Sequence, residues 1–183
     1  MTVILRAHDP AWAEKFQAEA DVLKPIFKAH ARLIEHIGST SIPDIFAKPV
    51  IDILIGVEDL EAVDQHNGQM EAQGYEAKGS NGLDGRRYFR KSDEGGIRTH
   101  HVHIYQINAP DLSRHLAFRD YLRAHPEKAA LYSSLKITLA DQSGMSRKRY
   151  QAMKHDCIVQ LDCEAQAWLE SLKSMPQPST SLA

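Results

Sequence analysis

The chain has 183 residues, 43% of them hydrophobic and 25% charged, which suits one globular domain around a single core. With 22 Lys and Arg against 24 Asp and Glu it is close to neutral, which argues against a protein that lives on nucleic-acid phosphates. A small phosphorylated ligand needs only a local basic cluster and is not excluded.

The apolar run 50–57 is interrupted by Asp52 and is far too short to span a bilayer. The opening MTVILRAHDPAW lacks the basic start of a signal peptide. Cys157 and Cys163 match no zinc or redox spacing and read as ordinary packing or surface residues. A cytoplasmic, reducing setting is expected, with no membrane partner.

Residues 2–6 read as a short strand or extended arm. Asp9 and Pro10 then open a helix over 10–30, on which Trp12, Phe16, Ala20, Leu23 and Phe27 recur at helical spacing. Strands are predicted at 32–37, 49–57, 75–78, 86–91 and 99–107, with a helix over 59–73 ended by Gly74. Beyond Pro110 the pattern changes to three helices, 111–124, 126–140 and 146–171, whose leucines at 112, 116, 122, 131, 135 and 139 offer apolar faces. The reading is an α/β (α+β) domain over 1–172: a mixed sheet flanked by helices, with a helical C-terminal part at 111–171. A disordered tail over 173–183 follows.

The stretch HIGSTS followed by KPVIDI concentrates the chemistry. Gly38 lets backbone approach a ligand closely, and Ser39 and Thr40 supply amides and hydroxyls for phosphate oxygens. Asp52 stands among Val50, Ile51, Ile53 and Leu54, where a carboxylate needs a partner, a hydrogen bond or a metal. The plainer alternative is that Ser39 and Thr40 cap a turn and Asp52 caps their amides. In HHVHIY, His101, His103 and Tyr105 share one strand face while Val102 and Ile104 share the other. With Asp52 the two imidazoles would make a cluster that suits Zn, Mn or Fe better than Mg, itself still a possible divalent ion. Alternatively His103 is a general base, or the pair is structural. Lys48, Arg86, Arg87, Arg119, Lys136, Tyr150 and Lys154 would complete a ring for a phosphate or carboxylate ligand, although each alone also reads as a surface residue.

HIGSTSIPDIFAKPVIDILIGV resembles the signature of the GrpB family, itself similar to the nucleotidyltransferase superfamily. Pro10-Ala11-Trp12, Arg86-Arg87-Tyr88-Phe89, Thr99 to His103 and Phe118 to Leu122 agree, so the resemblance covers about 8–160. It implies a nucleotidyltransferase-like fold and a phosphate-bearing nucleotide or small-molecule ligand. One departure stands out. Such enzymes usually follow Gly-Ser with two acids on one strand, which hold divalent ions, and here the second position is Leu54. The functional expectation is a transferase acting on a small acceptor, with possible divalent metal at Asp52, His101 and His103. The alternative is a binding or interaction module that lost the paired acids. GrpB domains also resemble C-terminal appendages of dephospho-CoA kinase, but no Walker-type loop occurs here.

Overall fold

The computed structural model describes residues 4–28, 30–141 and 147–174, with side chains outside 141–154. Helix α1 (Ala11–Phe27) precedes β1 (Ala31–Ile37), a 3-10 turn (Ser39–Ser41) and β2 (Ile51–Val57). A second 3-10 turn (Glu61–His66) runs into α2 (Asn67–Ala72), followed by β3 (Tyr75–Ala77), β4 (Arg86–Ser92) and β5 (Arg98–Gln106). Three helices close the chain: α3 (Pro110–Ala124), α4 (Pro126–Asp141) and α5 (Arg147–Ser174).

The strands form one mixed sheet in the order β1-β2-β5-β4-β3. Only β2 and β5 run parallel; the other pairs are antiparallel. The expected helix over 59–73 is instead a 3-10 turn and a short α-helix. Asn67 and Gly68, both weak helix formers, stand at the junction. The expected N-terminal strand is reduced to one bridge between Arg6 and Ala47. The C-terminal tail from 175 on lies outside the described residues, and 173–174 still belong to α5.

Strand alternation gives the sheet two unlike faces. On one, Ile51, Ile53, Ile55 and Val57 of β2 pack with Val102 and Ile104 of β5 against Trp12, Leu23 and Phe27 of α1. This is the main core. On the other, Leu54, Ile37 and Tyr105 are covered by Leu112 of α3, with Leu33 and Leu116 beside them. A third apolar cluster joins Ile42 and Ile45 of the loop before β2 to Tyr121 and Leu122 of α3, Tyr132 of α4 and Leu161 of α5. The C-terminal helices therefore seat on the loop as well as on the sheet. Leu131, expected to be a packing residue, instead points outward and is 67% exposed.

His36 lies on the α1 side of β1, stacked on Phe16 at 4.9 Å, and its Nε2–H donates to Thr40 Oγ1 at 3.0 Å. Burial, offset in part by Asp52 and reinforced by Arg123 and Arg119, lowers its pKa from 6.5 to about 4. The unfolded chain therefore takes up this proton before the folded chain does. The stability it represents is present above the unfolded value and is lost as pH falls from 6.5 towards 4. Replacing His36 by Phe, which keeps the stacking, should flatten that fall by on the order of 2 kcal/mol. Urea midpoints measured between pH 7 and 4 test this; a slope equal to wild type would show that His36 is not the group responsible.

Candidate active site

Parallel pairing of β2 with β5 sets Asp52 opposite His101 and Leu54 opposite His103. Residues two apart share a face, so Asp52, His101 and His103 all stand on the side that α3 only partly covers. His101 Nδ1–H donates to Asp52 Oδ1 at 3.0 Å, and His103 Nε2 lies 3.7 Å from the same oxygen. One ligand atom from each of the three residues falls within 4.8 Å of the others. The Asp52 side chain keeps 27% of its exposure, so the cluster opens towards solvent. Burial disfavours its ionisation, but the two imidazoles outweigh that and hold the carboxyl well below the usual carboxylate range. The outer nitrogens, His101 Nε2 and His103 Nδ1, are buried with no hydrogen-bond partner among the described residues.

The Gly38 turn reaches the same place. Ile37, the last residue of β1, pairs with Asp52, and Gly38 follows with φ +70, a conformation that favours glycine. A methyl group at Gly38 would run into Asp52 Oδ2. The turn is clamped from the C-terminal helices. Arg119 of α3 donates to the His36 carbonyl at 3.1 Å, and Arg123 donates to the Ser41 carbonyl at 2.8 and 3.0 Å. Lys136 of α4 is buried, lies over the Tyr132 ring at 4.3 Å, and donates to Ser39 Oγ at 3.1 Å and to the Phe46 carbonyl.

The sequence-derived site residues divide accordingly. Gly38, Asp52, His101 and His103 converge, and Ser39, next in the turn, has its hydroxyl held by Lys136. Thr40 is turned inward: its hydroxyl accepts from His36 and donates to the Val50 carbonyl at 3.3 Å, so it does not face the cleft. Arg119 is committed to Glu35 and Asp120, each at 2.7 Å, and holds α3 to β1. Arg87 stands on the opposite sheet face, paired in register with Ile104, and grips Asp64 with two bonds of 2.7 and 2.8 Å. Lys48 is partly buried in the loop leading to β2. The side chains of Tyr150 and Lys154 lie outside the described residues.

Leu54, where the resemblance leads to the expectation of a second acid, is fully buried against Ile37, Tyr105 and Leu112. Glu35, its register partner on β1, is the next acid on that face and is taken by Arg119. Two neighbours of the site escaped the sequence reading. Tyr88, paired with His103, tilts over both imidazoles at 5.6 and 5.2 Å. His115 of α3 lies 5.5 Å from the His103 ring; burial, with the charges of His103 and Arg114, lowers its pKa to about 3, so it is neutral. Period-two alternation on β4 would have found Tyr88. His115 had no such signal, because its relevance depends on how α3 docks.

The family profile described as GrpB protein matches residues 2–163. The chain is 36% identical over 162 residues to the Glutamate-rich protein GrpB of Alkalihalophilus pseudofirmus, covering 87% of this chain and 93% of that one. It is 48% identical over 161 residues to the UPF0157 protein YqkA of Bacillus subtilis, covering 88% of this chain but spanning only 46% of that relative's length. The crystal structure of conserved protein GrpB from Enterococcus faecalis superposes with a TM-score of 0.84 at 46% identity, over 90% of this chain and 99% of that one. The Cid1 poly(U) polymerase bound to MgATP aligns with a TM-score of 0.50 at 15% identity, over 73% of this chain and 42% of that one. That likeness is one of fold.

Because Gly38 and Asp52 are in contact, Gly38→Ala should destabilise the chain by about 1–3 kcal/mol through the positive φ and the displaced carboxylate. A melting temperature within a degree of wild type would show that the turn yields without moving Asp52.

Proposed function

The chain belongs to the GrpB family and has a nucleotidyltransferase-like fold, and from that base we propose that it is an enzyme of nucleotidyltransferase type. It moves a nucleotidyl or related phosphoryl group from a phosphate-bearing co-substrate to a small acceptor. The observation that carries this reading is the Asp52, His101 and His103 cluster standing directly beside the Gly38 turn.

One carboxylate and two imidazoles fit a transition ion such as Zn, Mn or Fe better than Mg, which prefers all-oxygen surroundings. When bound, such an ion polarises a phosphoryl oxygen as a Lewis acid. The remaining work falls to the chain itself. Ser39 offers its hydroxyl at the turn, while Arg123 and Lys136 place positive charge behind it, which favours a phosphate there.

A second reading has its own support. Leu54 is buried in an apolar cluster, so β2 offers one acid where paired-acid chemistry uses two. A module that binds a phosphate-bearing ligand without transferring a group accounts for that equally. Metal analysis of the untagged chain, since a polyhistidine tag would itself bind metal, tests the first reading. The expected result is one transition-metal ion per chain with little Mg, and loss of it in Asp52→Asn and His103→Ala. Nucleotides should then raise the melting temperature more in the metal-loaded chain than in the stripped one. No bound metal in the wild-type chain, with a nucleotide shift that ignores metal, would favour the binding module.

A further inference from the structure

We infer that His115 is a positioning residue for His103, tying the orientation of that ring to helix α3. The inference deepens the metal-centre reading above and rests on it. His103 directs Nε2 at Asp52, which leaves Nδ1 facing away, buried and without a hydrogen-bond partner among the described residues. The Tyr105 hydroxyl, two residues along the same strand face, is buried too, with the Arg86 side chain, its register neighbour on β4, beside it. A buried donor such as Nδ1–H disfavours the folded chain unless it finds a partner.

The His115 ring borders both. The His115 ring centre lies 5.5 Å from that of His103 and 5.8 Å from that of Tyr105, spans that one hydrogen bond or one bridging water covers. The chemistry is complementary. An imidazole that ligates through Nε2 carries its proton on Nδ1 and is a donor there. An imidazole at position 115 can accept that proton's bond with one nitrogen and give an N–H to the Tyr105 oxygen with the other. Ligating histidines ordinarily have such an outer partner, which fixes ring orientation and tautomer. Arg114 Nη2 also approaches His115 Nε2, but at 3.4 Å that contact is too long to impose a tautomer.

The local fold explains why His115 arrives there. Leu112 and His115 are three apart and share a helix face. Leu112 docks on Leu54 and Tyr105, so the helix face carrying it also carries His115 over β5. Arg114 pins the same turn through Asp111 and through Asp162 of α5, each at 3.1 Å. The apolar residue standing where a second acid is usual therefore seats the helix that brings His115 beside His103.

The test uses the untagged chain loaded with Co2+, with affinity measured by chelator competition and the site read from the visible absorption of the ion. His115→Ala should weaken metal affinity about 10- to 100-fold and change the Co2+ spectrum, while circular dichroism stays that of wild type. His115→Gln, which keeps a donor and an acceptor, should recover part of the affinity, and Tyr105→Phe should lose less than His115→Ala. Wild-type affinity and spectrum in a folded His115→Ala would overturn the role of His115 and leave the metal centre standing. If the wild-type chain binds no Co2+, the centre itself is wrong and the inference falls with it.

Discussion

A carboxylate on an interior strand of a sheet must be compensated where it stands, and the way Asp52 is compensated organises this molecule. β2 is hydrogen-bonded on both sides, so its acid projects from the sheet face and meets solvent only in part. The compensation comes from β5 as two imidazoles rather than as a guanidinium or ammonium group. Imidazoles can be neutral and offer lone pairs; Arg and Lys cannot do so at physiological pH. The strong cations nearby are directed elsewhere. Arg119 and Arg123 bind backbone carbonyls at either end of the Gly38 turn, and Lys136 binds Ser39. Cationic side chains shape the turn, and the acid is left to histidine.

The same arrangement explains why the C-terminal helices matter to a site built on the sheet. Helix α3 supplies Arg119 and Arg123 to the turn, Leu112 to the apolar patch over Leu54, and His115 to the neighbourhood of His103. An acid in place of Leu54 would bury a charge beneath Leu112, and Arg119, the cation held nearby, is already shared by Glu35 and Asp120. The apolar residue at position 54 and the docking of α3 are therefore one structural fact.

Much of this was legible in the chain before folding. The alternation in HHVHIY placed His101 and His103 on one face, and the lone acid in PVIDILIGV announced a polar task for Asp52. Strand positions came out within a residue or two because β-branched runs and Gly-rich turns bounded them. The basic ring was less legible. Charge alone does not reveal which face of a strand an arginine occupies, and Arg87 sits one residue out of phase with the site face. Arg119 reads as a ligand contact or as a surface pair with Asp120, because two of its partners, Glu35 and the His36 carbonyl, lie more than eighty residues away. Thr40 followed the same logic: a hydroxyl beside Gly-Ser suggests phosphate until His36 proves to be its neighbour.

The parallel pairing of β2 and β5 has a kinetic side. Asp52 and His101 are 49 positions apart, and everything from the second 3-10 turn to β4 must be looped out before the two strands meet. Long-range parallel pairing of this kind is slow to form. An unfolded or half-folded chain holds the acid and the imidazoles as separate, weak groups. Whatever binds all three together recognises only the completed sheet, so its binding free energy adds to the free energy of folding.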